Sequence, residues 1–111
     1  MSRRRISPVN VIEIYQLATG ELAYRDETGK DAKKAESSPG KDIAWLCDLG
    51  DFAIHFKQTT PMDQSSYLGA RAQEMKTKIK KFARKDTYNY SVAVFLENGL
   101  PLTDDPQIII T

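Results

Sequence analysis

Thr87-Tyr88-Asn89-Tyr90-Ser91-Val92-Ala93-Val94-Phe95 is the stretch that decides the fold. Tyr88, Tyr90, Val92 and Val94 alternate with Asn89, Ser91, Ala93 and Phe95, the period-two pattern of a strand with one face turned to a core. Six of the nine residues are aromatic, β-branched apolar or Thr, types that suit a pleated, half-buried surface and argue for a strand. No catalytic group is mounted on it, so its first meaning is architectural.

Working outward, Glu97-Asn98-Gly99 closes the strand with a turn, because Asn and Gly accept positive φ. A loop over Leu100 to Asp105 follows, and Gln107 to Thr111 ends the chain as a strand through Ile108, Ile109 and Ile110. Upstream, Ile43, Trp45 and Cys47 alternate with Ala44 and Leu46. The break at Asp48-Leu49-Gly50-Asp51 is followed by Phe52, Ile54 and Phe56 alternating with Ala53 and His55. This predicts two strands whose large side chains meet in a core.

Val9 to Leu17 is a further predicted strand, with apolar residues on both faces and so expected burial on both sides. Glu21 to Asp26 follows the Thr19-Gly20 turn as a short strand. Thr28 to Pro39 is polar and predicts a weak strand or edge segment inside a loop. Between 67 and 85 two periods compete. Leu68, Ala72, Met75, Ile79 and Phe82 recur at helical spacing, while Met75, Thr77 and Ile79 alternate with Lys76, Lys78 and Lys80. Periodicity alone favours the helix, whereas the family resemblance given below implies a strand over about 74–82 with room for a helical turn before it, and the strand is the expectation adopted.

The chain has 111 residues and forms one domain, expected over 9–111, behind a flexible basic N-terminus at 1–8 that contains Arg3, Arg4 and Arg5. Sixteen Lys and Arg against fifteen Asp and Glu leave a formal charge of +1, so any case for a charged partner must rest on a local patch. The lone Cys47 excludes an intrachain disulfide and fits a reducing compartment, which makes the cytoplasm the expected location. No window approaches the roughly 18 apolar residues of a membrane span, and no membrane partner is expected.

Two stretches resemble the cupredoxins, the Greek-key sandwiches of the blue-copper proteins. Pro39-Gly40-Lys41-Asp42-Ile43-Ala44-Trp45, running on to Phe52-Ala53-Ile54-His55-Phe56, is similar to the family's glycine turn and the strands after it. Thr87 to Val92 is similar to the aromatic-x-aromatic strand that leads to the copper cysteine. The resemblance covers about 39–111 and implies an all-β Greek-key β-sandwich, cupredoxin-like or immunoglobulin-like, of about seven strands. It also implies a fold without its metal site. Phe52 falls near the first histidine ligand, Val92 falls at the cysteine, and residues 93–111 contain neither histidine nor methionine. A type 1 copper centre needs two histidines and a thiolate, and this chain has one histidine. No cofactor is expected.

Cys47, His55 and Met62 are the remaining soft-metal donors and define a rival, a copper protein with a relocated site. Against it, a buried lone thiol behaves as a small hydrophobe. Cys47 and His55, with Asp48 or Asp51 as orienting acid, have the residue types of a nucleophilic site, yet no glycine-rich elbow accompanies them. Asp104 and Asp105 before Pro106 fit a turn better than a catalytic pair. The chain is therefore expected to be no enzyme. Lys76, Lys78, Lys80, Lys81, Arg84 and Lys85 place six cations in ten positions. They suit first a solvated, aggregation-resistant edge, and after that a docking face for a protein partner together with the 28–39 loop. Nucleic acid is the weaker alternative, since only Phe82 interleaves the cations.

Overall fold

The computed structural model describes residues 9–111, and these form ten strands and no helix. In chain order they are β1 (Val11–Gln16), β2 (Leu22–Asp26), β3 (Lys34–Ser37), β4 (Asp42–Cys47), β5 (Asp51–Phe56), β6 (Ser66–Gly69), β7 (Met75–Lys78), β8 (Asp86–Phe95), β9 (Pro101–Asp104) and β10 (Gln107–Ile110). One sheet runs β2-β1-β4-β7. The other runs β3-β10-β8-β5-β6, with β9 also paired to β8. The whole is an all-β sandwich with β8 as the longest strand.

β8 has this place because its alternation is unbroken: Tyr88, Tyr90, Val92 and Val94 all point inward and are buried. One edge pairs with β5 from Asp51↔Phe95 to Phe56↔Tyr90. The other edge is shared, with β10 along Asp86 to Asn89 and β9 along Val92 to Phe95. Pro106 divides the two. It has no N–H to continue a ladder, but its carbonyl accepts the Tyr90 N–H at 3.1 Å.

Ile12, Ile14, Tyr24, Ile43, Trp45 and Cys47 from the first sheet meet Phe52, Ile54, Phe56, Tyr90, Val92 and Ile108 from the second. At the centre the Trp45 and Tyr90 rings meet edge-on, centroids 5.6 Å apart at 73°, and the Phe56 ring packs on Tyr90 with centroids 5.3 Å apart at 37°. The Trp45 Nε1–H donates to the Tyr90 hydroxyl at 3.3 Å, satisfying a buried donor.

Several expectations need correction. The strands number ten rather than about seven, because two segments expected as loop or helical turn are short strands and the weak edge segment expected within 28–39 is a third. β3 buries Ala35 and Ser37 beside β10 in parallel. β6 lies against β5 with Gly69 opposite Phe52. β9 begins at Pro101, a position where a strand tolerates proline. No helical turn forms ahead of β7, and the strand ends at Lys78 rather than near 82. Ile79 instead makes an isolated bridge to Met62. The helical stripe fails because its members scatter: Leu68 and Phe82 are 84% and 95% exposed and Ala72 sits at φ 60°. β1 is buried on one face only. Ile12 and Ile14 point inward, while the outer face carries the Glu13–Arg25 ion pair at 2.6 Å, with the Arg25 guanidinium 4.4 Å over the Tyr15 ring. The 1–8 segment lies outside the described residues.

Candidate functional site

The three soft donors do not converge. Cys47 and Met62 are fully buried members of the core. His55 sits on the opposite face of β5 from Phe52, Ile54 and Phe56, exposed, with its Nδ1 2.6 Å from the Ser66 hydroxyl. The six-stranded sheet therefore stands between His55 and the core that holds the two sulfur side chains. The same separation removes the Cys47–His55 pair as a nucleophilic site, and the Asp51 carboxylate is taken by the Arg71 N–H at 2.9 Å. Burial pushes the Cys47 thiol above its ordinary range, against the opposing pull of the Leu49 and Gly50 N–H groups. Among the described residues no group of three or more His, Cys, Asp or Glu could hold a metal.

Asp104 and Asp105 tie the corner between β9 and β10. Lys57 reaches Asp105 at 2.7 Å and holds its carboxyl below the usual range, helped by the Ser91 hydroxyl at 3.3 Å. Lys33 approaches Asp104 at 3.5 Å. Behind Asp104, the buried Tyr24 hydroxyl feels its charge yet has no partner at hydrogen-bond geometry. These acids serve the fold through side-chain links, where the sequence pointed to bonds with their own turn.

The basic stretch is the one candidate that the fold gathers on a surface. β7 is an edge strand, and Lys76 and Lys78 lie on its outward face opposite Ala44 and Asp42. Lys80 does not extend this ridge as expected, because the chain has already left the strand. It begins a turn with Lys81, Phe82 and Ala83, closed by the Ala83 N–H on the Lys80 carbonyl at 3.1 Å. Lys76, Lys78, Lys80, Lys81, Arg84 and Lys85 are all exposed, and among the described residues none is in an ion pair. The whole chain is +1, so these six cations leave the remainder at −5. Positive charge is concentrated in this one stretch although the chain's total is near zero.

The turn is held on a fixed base. The Ile79 N–H donates to Lys41 at 2.9 Å and the Lys80 N–H to Pro61 at 2.9 Å. The Gly40 N–H returns to the Ile79 carbonyl at 3.1 Å. Gly40 sits at φ 82°, a conformation that a side chain would strain, so the 38–41 loop can fold back here. On the far side the Tyr88 hydroxyl donates to the Arg84 carbonyl at 2.8 Å. Of the 28–39 loop, it is the Ser38-Pro39 end that abuts the basic turn, through these Gly40 contacts. The Thr28–Lys30 turn instead folds back on β2, with the Lys30 carbonyl accepting the Asp26 N–H at 2.8 Å.

A cleft of about 670 Å³ beside β7 is lined by Lys76 and Lys78 together with Asp42, Asp63, Tyr67 and Glu74. A smaller one of about 260 Å³ lies beside the turn between Thr59, Thr60, Arg84 and Tyr88. The feature that the sequence argument missed is Phe82, which was placed in a periodic apolar stripe and stands almost fully exposed at the turn. The signal was present in its neighbours, Lys80, Lys81, Arg84 and Lys85. No protein family, curated protein or solved structure matches the chain. None of the described residues forms a helix long and apolar enough to cross a membrane.

Proposed function

We propose that this chain is a non-catalytic binding module on a copper-free, cupredoxin-like scaffold, which docks an anionic partner through the Lys76–Lys85 surface. The observation that carries this reading is the set of six exposed cations, none in an ion pair among the described residues, on a chain whose remainder is −5. Unpaired like charges repel one another, and a counter-charged partner relieves that repulsion while steering association. Val92 and Phe52, the positions where the resemblance would put copper ligands, are buried apolar side chains and fit a scaffold without metal. A single, buried thiol suits the cytoplasm.

The test is Lys76→Glu, Lys78→Glu and Lys80→Glu in one chain, with affinity capture from the source cell beside the unaltered protein. The expected result is loss of the captured partner with unchanged thermal unfolding. Capture that survives the triple reversal would sink the proposal. Copper titration separates the rival: stoichiometric binding with a thiolate charge-transfer band would favour a metalloprotein over a docking module.

A further inference from the structure

We infer that the anionic partner of this surface is a lipid bilayer, touched by the Lys80–Lys85 turn with Phe82 as an interfacial wedge. The inference rests on the reading of Lys76–Lys85 as an anion-docking surface and adds what the anion is.

Phe82 is 95% exposed, the most exposed of the large apolar side chains among the described residues. It stands between Lys80-Lys81 and Arg84-Lys85, so the six-residue turn carries four cations, one aromatic and no carboxylate. The exposure belongs to a pinned turn, with Lys80 bonded to Pro61, Ile79 to Lys41, and Tyr88 to the Arg84 carbonyl. An aromatic ring at the level of lipid headgroups buries apolar surface while flanking cations meet anionic phosphates, the arrangement that holds peripheral proteins at interfaces. The chain outside the six cations is −5 and is repelled by the same surface, which turns the basic turn toward the lipid. The carboxylates around the basic surface are Asp86, which accepts the Thr87 N–H, Asp42, opposite Lys78, and Asp63 and Glu74, which line the β7 cleft with Lys76 and Lys78. All lie outside the turn.

Nucleic acid fits less well. Base stacking uses successive aromatic platforms along a groove that tracks the phosphates. Here the other aromatic beside the turn, Tyr88, is buried, and the adjoining cleft also carries Asp86. The expectation of no membrane partner rested on the lack of a spanning segment, and contact at the surface needs none.

The experiment is co-sedimentation of the full chain with vesicles of phosphatidylcholine alone and of phosphatidylcholine with phosphatidylglycerol, alongside retention on heparin and on oligothymidine. Binding to the anionic vesicles only is expected. Lys80→Glu with Lys81→Glu should lower it at least about 25-fold, from about fivefold per cation near the surface. Phe82→Ala should lower it about fivefold while leaving heparin retention unchanged, and being exposed it leaves the fold intact. In Phe82→Trp, emission from the new indole should shift to the blue on vesicle addition, while the buried Trp45 stays constant. No partition onto anionic vesicles, equal binding by Phe82→Ala, or tighter binding of oligothymidine than of vesicles at the same salt would each overturn the lipid assignment. If charge-dependent heparin retention survives those results, the anion-docking surface stands without it. If the lysine reversals change neither heparin retention nor vesicle binding, both proposals fall.

Discussion

Two tyrosines in the core allow a hydroxyl to be weighed against its absence. Tyr90 and Tyr24 are both 0% exposed, and Tyr→Phe keeps the ring and its packing in each case. Burial raises both phenols well above their ordinary range, so both are neutral through the working pH range. They differ in partners. The Tyr90 oxygen accepts the Trp45 Nε1–H at 3.3 Å, whereas the Tyr24 oxygen, though beside the Asp104 carboxylate, has no partner at hydrogen-bond geometry among the described residues. Tyr90→Phe strands a buried indole N–H and should cost about 1–3 kcal/mol. Tyr24→Phe removes an unsatisfied group and should cost no more than about 0.5 kcal/mol. At about 4–8 °C per kcal/mol for domains of 60–100 residues, the first variant should melt at least about 4 °C lower and the second close to the unaltered protein. Urea unfolding followed by Trp45, the single tryptophan, reads this directly, with an unchanged m-value showing that only stability moved. In a Trp45→Phe background, followed by circular dichroism, Tyr90→Phe should lose most of its cost, because no N–H is left to strand. Equal costs for the two tyrosines, or a Tyr90→Phe penalty that persists without Trp45, would refute the reasoning.

Gly69→Ala should destabilise by about 1–3 kcal/mol in the same assay, because a methyl there overlaps the buried Phe52 ring, whose Cε2 would lie at 2.6 Å. Adding Phe52→Leu should recover part of the loss, and a neutral Gly69→Ala would contradict the packing. Asp26 is held below the ordinary carboxylate range chiefly by the Thr28 hydroxyl at 2.6 Å, then by the Thr28 and Lys30 N–H groups. A depressed folded pKa means stability present above the unfolded carboxylate value, near pH 4, and lost as pH falls below it. Asp26→Asn should therefore lower the urea midpoint at neutral pH and flatten its fall in acid, and an unchanged acid limb would count against the assignment. Cys47 should react with a thiol reagent only at the rate of unfolding, since burial both hides it and raises its thiol. Rapid stoichiometric labelling of native protein would show the core to be open.

The fold was legible wherever a strand writes its own burial. β5 and β8 alternate large apolar with mostly small or polar residues, β4 sets Ile43, Trp45 and Cys47 against Ala44 and Leu46, and in each the expected face is the buried one, while β10 announced itself by its run of Ile108, Ile109 and Ile110. β6 and β9 were illegible, and β3 legible only as a weak edge segment, for the converse reason. Lys34-Ala35-Glu36-Ser37 and Pro101-Leu102-Thr103-Asp104 have little apolar pattern, and they become strands because β10 and β8 offer them open edges. β1 misled in the other direction. The apolar character of Val11 and Tyr15 suggested a second buried face, whereas Tyr15 and Glu13 instead share Arg25 at the sheet surface. Pairing between distant segments decides such cases, and no local window contains it.

The candidate surface divides in the same way, and magnitudes explain why. The cation cluster was visible because charge density is a local property of the chain. Phe82 was misplaced because periodicity weighs the apolar residue and ignores what its burial would drag inward. Ile79 and Tyr88 are both fixed in the core, so the segment between them crosses from β7 in one sheet to β8 in the other. Drawing Phe82 inside would gain about 1.5–3 kcal/mol of apolar burial. It would also pull Lys81 or its neighbours out of water, at several kcal/mol for each desolvated ion without a partner. No carboxylate within 80–85 could pair with them. The charges win, and the ring is left in solvent, so the exposure of Phe82 follows from the same cations that define the docking surface.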